Sequence, residues 1–143
     1  MDETMQEKIP ALTPQSTSRE MAQAIFDILD AKKAYKLKVL RVDDQTVITD
    51  YFVIATGNSS THVKSLGGEV EYKLSLCGID PLHYEGRDSD GWVVLDYGFV
   101  MVHIFSRDLR DFYQLEKLYG DAEEIHFVSI DERVQSADKE EQE

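Results

Sequence analysis

Hydrophobic and polar positions alternate along this chain in two different rhythms. Apolar residues recur every three or four positions in some segments, which is typical of helices with one buried face. These helical segments lie near residues 18–32, 59–77 and 107–119. Shorter apolar runs predict strands near residues 37–42, 48–56, 82–85, 92–96 and 99–105. Their order predicts an α/β (α+β) fold, with three helices packed on a mixed sheet of about five strands.

Two of these segments carry further information about packing. The run from Tyr51 to Thr56 is almost continuously apolar, which is typical of an interior strand covered on both faces. The second predicted helix contains Gly67 and Gly68, and each interior Gly costs a helix about 1 kcal/mol relative to Ala. We expect close packing of this helix on the sheet to compensate for that cost.

The ends of the chain differ in character from its middle. Residues 1–17 contain Pro10 and Pro14 among small polar residues, and we predict a flexible leader there. Residues 18–122 form the predicted domain. Residues 123–143 form a strongly acidic tail that we expect to be partly disordered, although the apolar run at 125–128 could add one more strand.

The hairpin predicted between Glu85 and Phe105 holds the candidate functional residues. Strand alternation places Trp92 and Asp96 on one face of the sheet and the intervening residues on the other. A lone Trp on a strand is more often a core residue, but a Trp beside an exposed acid is also typical of a protein interface. His103 is expected to be structural, with Asp96 as the group that could orient it.

The charge of the chain limits the classes of partner. The net charge is −13, and residues 121–143 contain nine acids and two bases. Such a chain does not favour sequence-specific nucleic-acid binding, but it would attract a basic protein; acidity that serves only solubility is an equal alternative. The sequence shows no secretory signal, no apolar run long enough for a membrane span, and one cysteine, so we expect a cytoplasmic protein.

Catalytic chemistry is weakly indicated. The turn from Gly57 to Ser60 opens a predicted helix, where backbone amides can hold an anion, but a plain helix cap is the more common use of such serines. Asp88 and Asp90 are the candidate metal ligands of a nucleotidyltransferase-like enzyme, and a third carboxylate is missing from the following strand. We therefore expect no catalytic residues, no metal and no cofactor.

Three segments in register resemble the ribosomal silencing factor family, also called RsfS or Iojap. These segments run from Asp50 to Val63, from Glu85 through Trp92–Gly98 to Phe105, and from Arg110 to Tyr119. The resemblance covers about residues 18–122 and departs from the family pattern at Phe99, Tyr119 and Gly67–Gly68.

The resemblance implies a fold similar to the nucleotidyltransferase fold but used for binding. Members of this family dock on the fourteenth protein of the large ribosomal subunit, block joining of the small subunit, and lower translation when nutrients are limiting. Homodimers are also seen, and a homodimeric adaptor stays open as a further alternative. The expected partner-binding residues are Asp50, Glu85, Trp92, Leu95, Asp96, Tyr97, Gly98 and Phe99.

Overall fold

The chain folds into one mixed sheet with helices on both sides, in a computed structural model that describes residues 10–88 and 91–128. The helices are α1 (Ser18–Ala31), α2 (Ser60–Ser75), α3 (Arg107–Tyr113) and the single turn α4 (Leu115–Leu118). The strands are β1 (Tyr35–Arg41), β2 (Tyr51–Gly57), β3 (His83–Glu85), β4 (Trp92–Asp96), β5 (Val100–Ser106) and β6 (Glu123–Ile125). The predicted α+β class is confirmed, with six strands where about five were expected.

The sheet has the strand order β3-β4-β5-β2-β1-β6. Its central pair, β2 and β5, is parallel, and the other neighbours are antiparallel. Every residue of β2 is buried, as the continuous apolar run predicted. The short strand β6 pairs with β1 and forms one edge of the sheet. The first three residues of the predicted acidic tail therefore belong to the sheet.

The two faces of the sheet are covered differently. On the first face, α1 and α2 enclose the larger core with inward side chains of all the long strands. On the second face, α3 and α4 cover a smaller cluster built around Phe52, Ile54 and Phe105. No helix of the described ranges is both long and apolar enough to cross a membrane.

The segment before α1 is packed rather than free. Thr17 caps α1 in a reciprocal pair with Glu20, which satisfies backbone donors at the helix start. Upstream, Leu12 packs against the larger core, and the Cys77 thiol lies 3.3 Å from the carbonyl oxygen of Pro10. Two residues of the predicted leader, Pro10 and Leu12, therefore contact the domain. The first nine residues of that leader lie outside the described ranges, as do residues 129–143 of the tail.

The third predicted helix is broken at Gln114, whose backbone is left-handed with φ of 47°. Residues six positions apart lie about 120° apart around a continuous helix. The break brings Glu116 back against Arg110, with 2.9 Å between Arg110 Nε and Glu116 Oε2. It also places Tyr119 edge-on against Phe52, with 4.9 Å between the ring centroids.

The two glycines inside α2 have different surroundings. A Cβ atom on Gly67 would lie 2.6 Å from the Tyr84 hydroxyl and 3.0 Å from Val93 Cγ1, whereas one on Gly68 would meet nothing within 4 Å. The expected compensation by close packing therefore holds for Gly67, which lets α2 approach the sheet. Nothing in the structure explains Gly68.

These surroundings predict opposite effects of the same substitution at neighbouring positions. Gly68→Ala should raise the free energy of unfolding by about 1 kcal/mol, because it removes backbone freedom from the unfolded chain without a clash. Gly67→Ala should instead lower it by about 1–3 kcal/mol, because Tyr84 or α2 must move. Urea denaturation of both variants measures this difference. Equal stabilisation by the two alanines would contradict the close approach at Gly67.

Candidate functional site

The helices on the second face of the sheet leave one part of that face largely uncovered. Because α3 and α4 lie over β1, β2 and β5, most of β3 and β4 stays accessible on this side. The cross-strand register places the outward side chains of three strands next to one another. We call this surface the open face, and its members are His83, Glu85, Trp92, Val94, Asp96 and Met101. All six are exposed or half-buried.

Trp92 is the fixed aromatic group of the open face. Its indole is half-buried, stacks on Phe105 with 5.1 Å between ring centroids, and contacts Tyr113 at 4.7 Å. Its Nε1 donates a hydrogen bond to Nδ1 of His103 at 3.3 Å. The predicted orientation of Trp92 and Asp96 to one face is confirmed. A ring held by such contacts loses little conformational entropy when it binds a partner.

His103 lies beneath Trp92 and is buried. Burial lowers the pKa of this imidazole from 6.5 to about 4, so the ring is neutral at physiological pH. Because Nδ1 accepts from Trp92, Nε2 carries the proton, and the ring meets Phe52 at 85°. The expectation that Asp96 orients His103 is wrong, because Asp96 pairs with His83 and Met101 while the indole takes that role.

The turn between β4 and β5 joins several predicted residues at one end of the open face. Asp96 Oδ1 accepts a hydrogen bond from the backbone N–H of Gly98 at 2.8 Å, and Gly98 has φ of 88°, which glycine tolerates best. The Phe99 carbonyl accepts from the backbone N–H of Asp50 at 3.0 Å. The structure therefore brings Asp50, Asp96, Gly98 and Phe99 together.

The same turn exposes two large apolar side chains. Phe99 is 65% exposed and Leu82 is 67% exposed. Leu82 donates its backbone N–H to the Asp96 carbonyl at 2.7 Å, and its side chain lies close to Gly98. We call this end of the open face the hairpin tip, formed by Asp50, Leu82, Asp96, Gly98 and Phe99. Exposed apolar groups beside carboxylates are typical of a protein-binding surface.

Two of the predicted partner-binding residues lie on the wrong face. Leu95 is 0% exposed and Tyr97 is 7% exposed, and both pack in the larger core beneath α2. Burial also raises the pKa of the Tyr97 hydroxyl well above its ordinary value. The structure therefore corrects the prediction that Leu95 and Tyr97 are contact residues. Period-2 alternation points both side chains away from the face of Trp92 and Asp96, so they support the hairpin from the opposite face of the sheet.

Other members of the open face were missed by sequence reasoning. Val94 and Met101 were not singled out, although alternation from Trp92 indicates Val94 and strand pairing then indicates Met101. Tyr113 is partly exposed and contacts Trp92, although it lies twenty-one positions after Trp92 in the chain. Only the tertiary structure places it there. Glu85 lies on β3 opposite Val94, so its predicted place on this surface fits the register.

The residues considered for catalysis have structural surroundings. A Cβ atom on Gly57 would lie 2.8 Å from Val63 Cγ2, so this glycine allows α2 to begin close to β2. Ser59 caps α2 by accepting from the backbone N–H of His62 at 3.0 Å. Asp88 is exposed in the turn after β3, and Asp90 lies outside the described residues. Within residues 10–88 and 91–128, no three His, Cys, Asp or Glu side chains converge as metal ligands do.

The buried His103 predicts a loss of stability in mild acid. The unfolded chain binds a proton at this ring below pH 6.5, whereas the folded protein resists it until about pH 4. His103 therefore contributes its full stability above pH 6.5, and the loss between pH 7 and pH 5 should be about 2 kcal/mol.

Urea denaturation at pH 7 and pH 5 should show this loss in the wild type and a smaller loss in His103→Phe, which has no proton to bind. Identical pH dependence in both proteins would contradict the neutral buried ring.

Comparisons with known proteins agree with this architecture. The profile of the family described as "Ribosomal silencing factor during starvation" matches residues 15–143. Ribosomal silencing factor RsfS of Halalkalibacterium halodurans is 33% identical over 80% of this chain and 97% of its own length.

A more distant relative and a solved structure extend the comparison. Mitochondrial assembly of ribosomal large subunit protein 1 of Mus musculus is 33% identical over 66% of this chain and 43% of its own length. A crystal structure of a Chromobacterium violaceum protein superimposes with a TM-score of 0.71 at 31% identity, over 73% of this chain and 88% of that chain. The chain therefore belongs to the ribosomal silencing factor family, as its three motifs predicted.

Proposed function

We propose that this protein is a non-catalytic regulator of translation that docks on the large ribosomal subunit through its open face and hairpin tip. Family membership supports action on the ribosome, and the mouse relative is named for assembly of the large subunit. The observation that carries the assignment to this surface is a partly accessible sheet face with the half-buried Trp92 at one end and the exposed Leu82 and Phe99 at the other.

The open face has the composition of a protein-binding site. Binding energy at interfaces concentrates in a few aromatic or apolar groups that lose water completely, with polar groups around them. Trp92, Val94 and Met101 supply an apolar strip, and the exposed Phe99 and Leu82 add apolar surface at the hairpin tip where this strip ends. Because these groups lie on a rigid sheet, docking requires little ordering of the chain.

The carboxylates favour a basic partner. Asp96 and Asp50 lie at the hairpin tip, and Glu85 lies at the sheet edge. The Gly98 amide holds one oxygen of Asp96, which fixes the carboxylate in place. The resemblance to ribosomal silencing factors makes the fourteenth protein of the large subunit the proposed partner. Acidic groups facing a basic ribosomal protein would speed the encounter and make it dependent on salt.

Repression of translation then requires only that the bound protein occupies space on the large subunit. A protein bound over about 1,200–2,000 Å² of total surface at the face that meets the small subunit prevents the two subunits from joining. Such a mechanism needs no turnover, no metal and no cofactor. The residues considered for nucleotidyl transfer favour the same conclusion, because Gly57 and Ser59 already have packing and capping roles.

Removal of the exposed apolar groups at the hairpin tip should weaken docking. The double variant Leu82→Ser/Phe99→Ser should co-sediment with purified large subunits at least about ten-fold more weakly, because hot-spot groups contribute about 2 kcal/mol or more. Leu76→Ser is the matched control, since Leu76 is also exposed but lies at the end of α2, on the other side of the sheet.

Trp92 is a poorer choice for this test, because its removal also takes the hydrogen-bond donor from His103. Unchanged co-sedimentation of a folded double variant, or an equal loss with Leu76→Ser, would show that the hairpin tip is not the docking surface.

Occlusion predicts a second, separate result. When separated subunits are mixed in a magnesium-containing buffer, prior addition of this protein to the large subunit should reduce joined ribosomes in a sucrose gradient. Addition after joining should have much less effect, because the contact surface is then covered. Full joining with the protein still bound to the large subunit would contradict the blocking mechanism while leaving docking intact.

A further inference from the structure

A second feature lies where the two central parallel strands end. The helix that follows β2 packs on the first face of the sheet, and the helix that follows β5 packs on the second. Adjacent parallel strands whose helices diverge in this way leave a crevice at their carboxyl ends, a common place for ligands in α/β proteins. Here the crevice is an open pocket of about 260 Å³, which we call the Arg107 pocket. Its lining residues are Tyr35, Lys36, Thr56, Arg107, Arg110 and Asp111.

The charge of this pocket is opposite to that of the chain. Three cations and one carboxylate line it, although the net charge of the protein is −13. Across residues 10–88 and 91–128, neither Lys36 nor Arg107 forms an ion pair with a carboxylate. Two exposed cations without counter-ions beside a third, buried one form a local site of positive potential.

The backbone is distorted at the point that adds Lys36 to the pocket. Consecutive residues of a regular strand point to opposite faces. Tyr35 and Lys36 nevertheless both line the pocket, because the β1–β2 register shifts between Tyr35 and Lys38 and Lys36 has φ of 49°. A non-glycine residue in this conformation is strained, and bulges often redirect side chains at functional sites.

Arg110 forms the buried wall of the pocket. It is 4% exposed, and its Nη1 donates to Thr56 Oγ1 at 2.8 Å. The Thr56 hydroxyl accepts this bond and keeps its own proton for another acceptor. Arg110 Nη2 lies 2.8 Å from Glu116 Oε2 but makes no hydrogen bond of acceptable geometry. Burial, the largest single cause, raises the pKa of Glu116, but the hydrogen bond and charge of Arg110, a backbone hydrogen bond and the charge of Lys38 together outweigh it, so the pKa is lowered.

Arg107 is held over the mouth of the pocket. Its guanidinium lies 5.2 Å from the centroid of the Tyr35 ring, and the edge of that ring meets His62 at 88°. His62 is itself fixed between Asn58 and Lys32, because its ring nitrogens bond their backbone N–H and C=O at 2.9 Å each. The Tyr35 ring therefore gives this cation a favourable contact inside the pocket.

We propose that the Arg107 pocket binds a phosphate group. The ammonium of Lys36, the guanidinium groups of Arg107 and Arg110 and the hydroxyl of Thr56 offer more donors than the two oxygens of a carboxylate can accept, whereas a phosphate accepts from several directions. The carboxylate of Asp111 at the rim lowers the positive charge of the site but does not cancel it. The site therefore stays positive but does not attract every anion equally.

A phosphate group can reach this pocket from two sources. One is a free nucleotide, and the other is the backbone of ribosomal RNA beside the docked protein, since α3 joins the pocket to the Trp92 end of the open face. Recognition of a backbone phosphate reads no sequence, so it is compatible with the expectation that this acidic chain does not bind nucleic acid sequence-specifically.

A titration of the free protein tests the proposal without ribosomes. If no phosphate binding is found, the proposed docking on the large subunit is not contradicted. Backbone amide NMR signals of Lys36, Thr56 and Arg107 are followed against sodium phosphate, adenosine monophosphate and a five-nucleotide uridine RNA, with sodium chloride at equal ionic strength as reference. We expect saturable shifts at these three residues with the phosphate compounds and not with chloride. Tighter binding of adenosine monophosphate identifies a free nucleotide as the source, and tighter binding of the RNA identifies the backbone.

Variants of Lys36 and Arg107 provide the decisive control. Lys36→Asn keeps a residue that tolerates the left-handed backbone, and Arg107→Gln alters an exposed side chain, so both should fold. Each should weaken phosphate binding about ten-fold, because a charge-assisted hydrogen bond is lost. Lys117→Gln, an exposed cation outside the pocket, should leave binding unchanged. Shifts that follow chloride equally, or that persist in Arg107→Gln, would overturn the proposal.

Discussion

The buried parallel pair of β2 and β5 is the constraint on which the rest of the structure depends. Parallel strands at the centre of a sheet must be covered on both faces. The chain meets this requirement by sending α2 to one side and α3 to the other. Because α3 and α4 are short, they cover only the strands nearest the centre. The uncovered side of β3 and β4 is a direct consequence, and so is the crevice where the two helices diverge.

Polar groups within the second layer are arranged around this limited cover. His103 would lack any partner for Nδ1 if Trp92 did not donate to it, and the indole is fixed by the same bond. The Trp ring is thereby presented at the surface without being mobile. Arg110, in the middle of α3, has a similar arrangement: its guanidinium is almost fully buried and donates hydrogen bonds to Thr56 and Glu116. Each polar contact spares a buried group the cost of an unmade hydrogen bond.

Local backbone distortions position several of the side chains at the pocket and at the hairpin tip. Left-handed residues occur at Lys36 in the bulge of β1, at Gly98 in the hairpin, and at Gln114 between α3 and α4. The first directs a cation to the pocket, the second lets the hairpin turn beside Asp96, and the third brings Glu116 to Arg110. Two of these positions are not glycine, so the surrounding contacts must hold conformations that the isolated chain would avoid.

The class of fold, the buried β2, the family and the face shared by Trp92 and Asp96 could all be predicted from the sequence, because local periodicity and ordered motifs carry that information. The prediction wrongly placed Leu95 and Tyr97 at the partner surface. It also missed Tyr113 and the break in the third helix. Alternation was sufficient to correct the first error. The contact of Tyr113 with Trp92, and the presence of Lys36 and Arg107 in one pocket, could not be predicted in this way. They bring together residues far apart in the chain, through strand order and backbone strain that no local pattern specifies.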